Sequence, residues 1–156
     1  MIILGLDPGL AATGYGVVRK VSRDPECVDY GSVSTTSQQE TSARLKLIYD
    51  GILSVIQRWS PDLVVLEDVF AKGTAPSAAL SIGQVRGVLL LAASQSGRAV
   101  QGIAARSVKQ AITGSGAADK SQLERSLRRL LKMSEQIRPD HAADALGLAY
   151  VGAMRA

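Results

Sequence analysis

The hydrophobic pattern of the chain changes period along its length. Ile2-Ile3-Leu4-Gly5-Leu6 is an apolar run closed by Asp7, the pattern of a strand buried on both faces. Pro8-Gly9 breaks it, and Tyr15–Val21 and Cys27–Thr35 read as two further strands. The connection Ser22-Arg23-Asp24-Pro25-Glu26 is turn-like, so an antiparallel meander is expected. The period then becomes helical, with Leu45, Ile48, Ile52, Val55, Ile56 and Trp59 on one face, and Pro61 ends that helix. Asp62–Glu67 is a short apolar strand ending in an acid. A second helix is predicted over Ser77–Ser96, a fifth strand over Ala99–Ile103, and helices over Ala105–Thr113, Lys120–Met133 and Pro139–Met154. Gly114–Ala118 reads as a flexible loop. Strands first, then helices alternating with strands, predict an α/β fold with a mixed five-stranded sheet and helices on its faces. The 156 residues suit a single domain, 1–156.

Composition narrows this picture. The chain is 46% hydrophobic with only six aromatic residues, so the core must be aliphatic. Cys27 is the only cysteine, which excludes a disulfide within the chain and a cysteine-built zinc site, and fits a reducing compartment. The start has no basic segment, and its apolar run stops at Asp7, unlike a signal peptide. The longest strongly apolar run, Val88–Ala93, is too short to cross a bilayer. A cytoplasmic protein without a membrane partner is expected.

Charge is unevenly distributed. Residues 1–71 carry six Lys/Arg and nine Asp/Glu, residues 72–138 carry eleven and three, and residues 139–156 carry one and two. A basic middle between acidic ends is either a solvated surface or a phosphate-binding face beside a cation site.

Three acids stand out by position. Asp7 and Glu67 end apolar strands, where a charge needs solvent, a partner or a metal. Asp144 sits among Ala142, Ala143, Ala145 and Leu146. His141, the only histidine, lies three residues earlier on the same helical face. Asp140 is also adjacent, and reads better as a favourable charge at a helix N-terminus. Separately each has a plain alternative: a turn-forming Asp before Pro8-Gly9, an exposed strand end, a surface histidine. Together they form a carboxylate cluster that repels itself unless a cation neutralises it. Oxygen ligands suit Mg²⁺ or Mn²⁺, and two such ions about 4 Å apart would serve phosphodiester hydrolysis.

The motifs then point to a family. Gly5-Leu6-Asp7-Pro8-Gly9 with Thr13-Gly14-Tyr15-Gly16-Val17, Leu66-Glu67-Asp68-Val69-Phe70, Gln84-Val85-Arg86-Gly87-Val88, Ala105-Arg106-Ser107-Val108-Lys109-Gln110, Gly114–Gln122, and His141-Ala142-Ala143-Asp144-Ala145-Leu146 occur in order along nearly the whole chain. In this they resemble the RuvC family of Holliday-junction resolvases. The resemblance implies a ribonuclease H-like fold, a homodimer, and paired symmetric nicking of four-way DNA junctions in recombination and repair. It also implies a branch-migration motor as partner. It carries catalytic and metal-binding roles onto Asp7, Glu67, His141 and Asp144, with Mg²⁺ or Mn²⁺ as cofactor. Many members have Asp where this chain has His141, so His141 is expected either to bind a metal or to move a proton. Phe70, the only phenylalanine, would ordinarily be a core residue, but its loop position and the resemblance favour base stacking or wedging at an opened junction, and Arg106, Lys109 and Lys120 are expected to contact DNA phosphates.

Ala79, Gly83 and Gly87 form a small-residue stripe on the second helix, suited to close packing on the sheet or to a dimer contact. The resemblance favours the dimer. Two other readings compete with this one. An actin-like phosphotransferase also has an Asp and glycines after a strand, but needs two lobes around a nucleotide. A non-catalytic junction binder has no use for a carboxylate cluster.

Overall fold

The computed structural model describes residues 1–22, 24–68 and 75–156. Its elements are β1 (Ile2–Asp7), β2 (Ala12–Val21), β3 (Asp24–Ser34), α1 (Thr41–Trp59), β4 (Leu63–Asp68), α2 (Pro76–Gln95), β5 (Ala99–Ala104), α3 (Ala105–Thr113), α4 (Lys120–Leu130) and α5 (Asp140–Arg155). They form one five-stranded sheet in the order β3-β2-β1-β4-β5. The meander β1-β2-β3 is antiparallel, whereas β1-β4 and β4-β5 are parallel. The sheet is therefore mixed, with β1 at its centre.

The two-residue period of β1 and β4 divides the core into two layers. Ile3 and Val65 point to one side, where they join Val108, Leu127, Ile137, Leu146 and Ala149 from the α3–α5 region. Leu4, Leu6, Val64 and Leu66 point to the other, against Ile48, Ile52, Val85 and Leu89 of α1 and α2. This alternation is why both strands read as continuous apolar runs: neither has a solvent face. The helices on both faces agree with the expected architecture.

Three boundaries differ from the sequence reading. The β2–β3 hairpin is longer than expected, because Asp24, Pro25 and Glu26 pair with Val21, Lys20 and Arg19 rather than forming the turn. Ser22, at φ 67°, turns the chain instead. Pro25 is compatible with a strand there because β3 lies at the sheet edge. Helix α4 stops at Leu130, short of Met133, and Lys132 has φ 55°, outside the helical region. The stretch 114–118, expected to be flexible, is tied down. Gly114 caps α3 at φ 79°, the Gln110 amide donates to the Gly114 carbonyl at 2.8 Å, and its oxygen accepts from Gly116 N–H at 3.0 Å. Asp119 and Gln122 then form a reciprocal capping box that starts α4.

Candidate active site

Asp7 and Glu67 meet because of strand register. Leu6 lies opposite Leu66 in the parallel β1–β4 pair, so the two acids follow side by side at the carboxyl ends of central strands. Crevices at that edge of an open α/β sheet are where ligands bind. Asp7 is only 7% exposed, and Glu67 is half-buried. Behind Asp7 the chain is latched. The fully buried Thr13 hydroxyl donates to the Gly9 carbonyl at 2.8 Å, fixing the loop that leaves the strand.

The first turns of α5 complete the cluster. His141 and Asp144 are one helical turn apart and face the strand ends. What brings the helix so near is an absence of side chains on the sheet. A Cβ on Gly5 would stand 2.0 Å from the Ala145 carbonyl oxygen, one on Gly14 2.0 Å from the His141 oxygen, and one on Gly16 2.6 Å from the Leu146 backbone. Helix α5 thus rests with its backbone on the sheet, and Gly14 is the residue directly opposite Asp7. The His141 Nδ1 comes to 2.8 Å from Asp7 Oδ2.

Crowding of carboxylates shapes the electrostatics. Burial, a hydrogen bond with Asp7, and the charges of Asp7 and Asp144 push Glu67 up to about 8, against the pull of Lys109. Asp144 is raised chiefly by burial and by Asp7, with Lys120, His141 and Lys109 opposing. Lys120 Nζ lies 3.8 Å from Asp144 Oδ2, so this ion pair is loose and solvent-screened. Glu67, Asp144, Lys109 and Lys120 line one cleft of about 210 Å³, walled by Val108 and Leu123.

Among the described residues, no three His, Cys, Asp or Glu side chains are gathered closely enough to cage an ion unaided. The donor chemistry nevertheless fits a hard divalent cation. Three carboxylates converge at a cost visible in the raised Glu67 and Asp144, and a cation would relieve it.

The family model described as "Crossover junction endodeoxyribonuclease RuvC" matches residues 3–151. The chain belongs to the RuvC family. The RuvC of Halothermothrix orenii is 40% identical over 149 residues, covering 96% of this chain and 90% of that protein. The RuvC of Tolumonas auensis is 45% identical over 148 residues, covering 95% and 84%. Among solved structures, Thermus thermophilus RuvC in complex with Holliday junction substrate superposes with a TM-score of 0.90 at 32% identity, covering 99% of this chain and 94% of that one. The ribonuclease H-like α/β fold expected from the motifs is thereby the fold of this RuvC-family chain.

Within this RuvC fold the expected site residues divide into groups. Asp7, Glu67, His141 and Asp144 come together, and Lys109 and Lys120 share their cleft. Asp140 is exposed in the first turn of α5 and takes no part. Arg106 is exposed on α3, its side chain lying against Gly116, and it does not line that cleft. Phe70 lies outside the described residues. Sequence reasoning missed the reason for the glycines, since which of them oppose α5 depends on strand register. It also missed Thr13, a polar residue that the opening motif carries into the core.

Proposed function

We propose that this chain is a divalent-metal-dependent endonuclease that resolves four-way DNA junctions by paired symmetric nicks, with Asp7, Glu67, His141 and Asp144 as its catalytic side chains. The observation that carries the site assignment is the meeting of acids from β1, β4 and α5 at one buried strand edge flanked by two lysines. Two Mg²⁺ or Mn²⁺ ions held by these four side chains would supply an activated water and neutralise charge at the scissile phosphate.

The chain's own residues do the rest. Asp7, nearly buried and latched by its loop, gives the cluster a rigid reference point. His141, bonded to Asp7, either ligates as neutral imidazole or moves a proton at Nδ1. Glu67 and Asp144 contribute the negative charge that selects a cation over water. Lys109 and Lys120, at the cleft, neutralise backbone phosphates, while Arg106 on α3 meets the flanking duplex.

The second copy belongs on α2. This helix has the length and apolarity of a membrane span, 20 residues with mean hydropathy 1.3, yet only part of it is buried. Val85, Leu89, Ala92 and Ala93 pack on the sheet. Leu80 at 66% and Leu91 at 52% exposure face outward with Gly83 and Gly87, beside which a Cβ would meet nothing within 4 Å. Gly83 and Gly87 of the small-residue stripe therefore do not serve close packing on the protein's own sheet. A twofold pairing through this face would present two sites to a roughly twofold junction. Work on recombining DNA implies the cytoplasm, and the family resemblance supports a branch-migration motor as partner.

The test is a labelled four-way junction incubated with Mg²⁺ or Mn²⁺. Wild type should nick opposing strands symmetrically. Asp7→Asn, Glu67→Gln and Asp144→Asn should each bind the junction in a gel shift and fail to cut. Near-normal cutting by any of them would overturn the site assignment.

A further inference from the structure

Glu67 and Asp68 are neighbours on β4 and point to opposite faces of the sheet. Glu67 enters the acidic cluster, and Asp68 turns towards α2. There Arg86, from the middle of α2, forks between them. One guanidinium nitrogen donates to the main-chain carbonyl of Glu67, and the other donates to Asp68 Oδ1 at 2.9 Å. Both partners of this pair are half-buried, at 27% and 37% side-chain exposure. The space for it is built into the next strand. Gly102 of β5 faces Asp68, and a Cβ there would stand 2.3 Å and 2.4 Å from the two carboxylate oxygens.

Three positions in three elements thus meet at the end of β4: Gly102 makes room for Asp68, Asp68 holds Arg86, and Arg86 reaches the main chain of Glu67. The β1–β4 pairing ends at Leu6–Leu66, one residue before Glu67. Beyond that point β4 remains paired with β5, through Glu67–Ile103 and Asp68–Ala104. The inner side of the strand end has Asp7 beside it: a protonated Glu67 hydrogen-bonds Asp7, but once Glu67 ionises, as a metal-loaded cluster requires, the two like charges repel. A planar two-pronged donor gripping both a carbonyl and a carboxylate fixes direction as well as position, which an ammonium cannot do.

We propose that Arg86, through Asp68 and the Glu67 carbonyl, is a positioning residue that holds the end of β4 so that Glu67 stays turned into the acidic cluster against the repulsion of Asp7. This rests on the reading of Glu67 as catalytic. Arg86 is also flanked on α2 by Gly83 and Gly87, whose outer side is open. The brace is therefore anchored on the helix proposed to receive the second copy.

The experiment uses the whole chain with Arg86→Ala, Arg86→Lys, Asp68→Asn and Gly102→Ala. Four quantities are measured: Mn²⁺ binding to the DNA-free protein by electron paramagnetic resonance, single-turnover cleavage of a junction at saturating enzyme against Mn²⁺ concentration, junction affinity, and melting temperature. Arg86→Ala should weaken Mn²⁺ binding and slow cleavage by roughly 10–100-fold, the range for residues that orient metal ligands, with junction affinity little changed. Asp68→Asn keeps the size of the side chain and should give a smaller loss in the same two readouts. Gly102→Ala, which evicts the Asp68 carboxylate without removing a charge, should reproduce it. Arg86→Lys should not restore wild-type Mn²⁺ affinity. If Arg86→Ala does not fold or dimerise, Asp68→Asn and Arg86→Lys decide. Wild-type Mn²⁺ affinity and cleavage in those variants overturn the proposal. Glu67→Gln runs alongside as the control for the underlying reading. If it still cuts, the assignment of Glu67 fails. If it is dead while the brace variants are normal, only the role of Arg86 fails.

Discussion

Helices α5 and α2 are made of similar residues and have opposite fates. Both are rich in Ala, Leu and Gly, and both lie against the same sheet from opposite sides. On α5, Gly147 meets Val108 and Gly152 meets Val65 and Ile3, and ten residues of the helix are buried. On α2, a Cβ on Gly83 or Gly87 would meet nothing within 4 Å, and Leu80, Leu90 and Leu91 stand exposed on either side of them. The difference lies in the strands beneath. Gly5, Gly14 and Gly16 clear a flat bed for α5, so its backbone reaches the sheet and its polar residues reach Asp7. Under α2 and α1 the strands carry Leu4, Leu6, Val17 and Leu66, which hold those helices at ordinary side-chain distance. A small residue on a helix therefore has meaning only with its partner: on one side it builds a site, on the other it leaves a surface.

The largest effect that sharpens this contrast is chemical. Asp144→Asn on α5 should abolish cleavage and keep junction binding. Gly83→Leu with Leu91→Glu on α2 should leave the fold intact and shift the protein from dimer to monomer in sedimentation equilibrium. A dimer that survives the α2 double substitution would break the assignment of that face. Next in size is a test by volume alone. Gly16→Ala places a methyl against the Leu146 backbone and should cost about 3 kcal/mol, the upper part of the overpacking range, in urea unfolding. Gly83→Ala places one in open space and should stabilise the monomer by up to ~1 kcal/mol through helix propensity. Equal effects at the two positions would contradict the close contact of α5.

A smaller effect concerns the charge gathered on the α5 side. Glu67 sits near 8 in the folded protein, above its value of about 4.3 in an unfolded chain. Between those values the folded state holds a proton that the unfolded state has lost, so stability falls as pH rises through that window. Metal-free Glu67→Gln should therefore melt higher than wild type at pH 8, with the gap closing towards pH 5. Mn²⁺ should raise the melting temperature of wild type more than that of the variant. A pH-independent gap would sink this account. Smallest is the lysine contribution. Lys109→Ala and Lys120→Ala should each reduce the salt slope of junction binding by about one. An unchanged slope in both would make them solvated cations rather than phosphate contacts.

Much of this was legible in the chain. The apolar runs ending in Asp7 and Glu67 announced strands with acids at their tips, and the alanines around Asp144 announced a polar residue on a buried helix. The acidic cluster could be expected because strand ends and helix faces follow from local period. Three things were not legible. The true extent of the β2–β3 hairpin depended on Pro25 lying at a sheet edge, which is a property of strand order. The order of the glycines gave no hint of which would oppose α5, since that is set by register between distant segments. Arg86 stood in a family motif within the basic middle, but its role as a brace could not be read there, because its partners Glu67 and Asp68 lie in another element.

The acidic cluster draws on both extremes of the described chain, Asp7 near its beginning and Asp144 in α5, the last element formed. During synthesis the segment holding Asp7 and Glu67 leaves the ribosome well before the one holding His141 and Asp144. The proposed cutting centre is therefore incomplete until α5 has been made and docked on the glycines of β1 and β2.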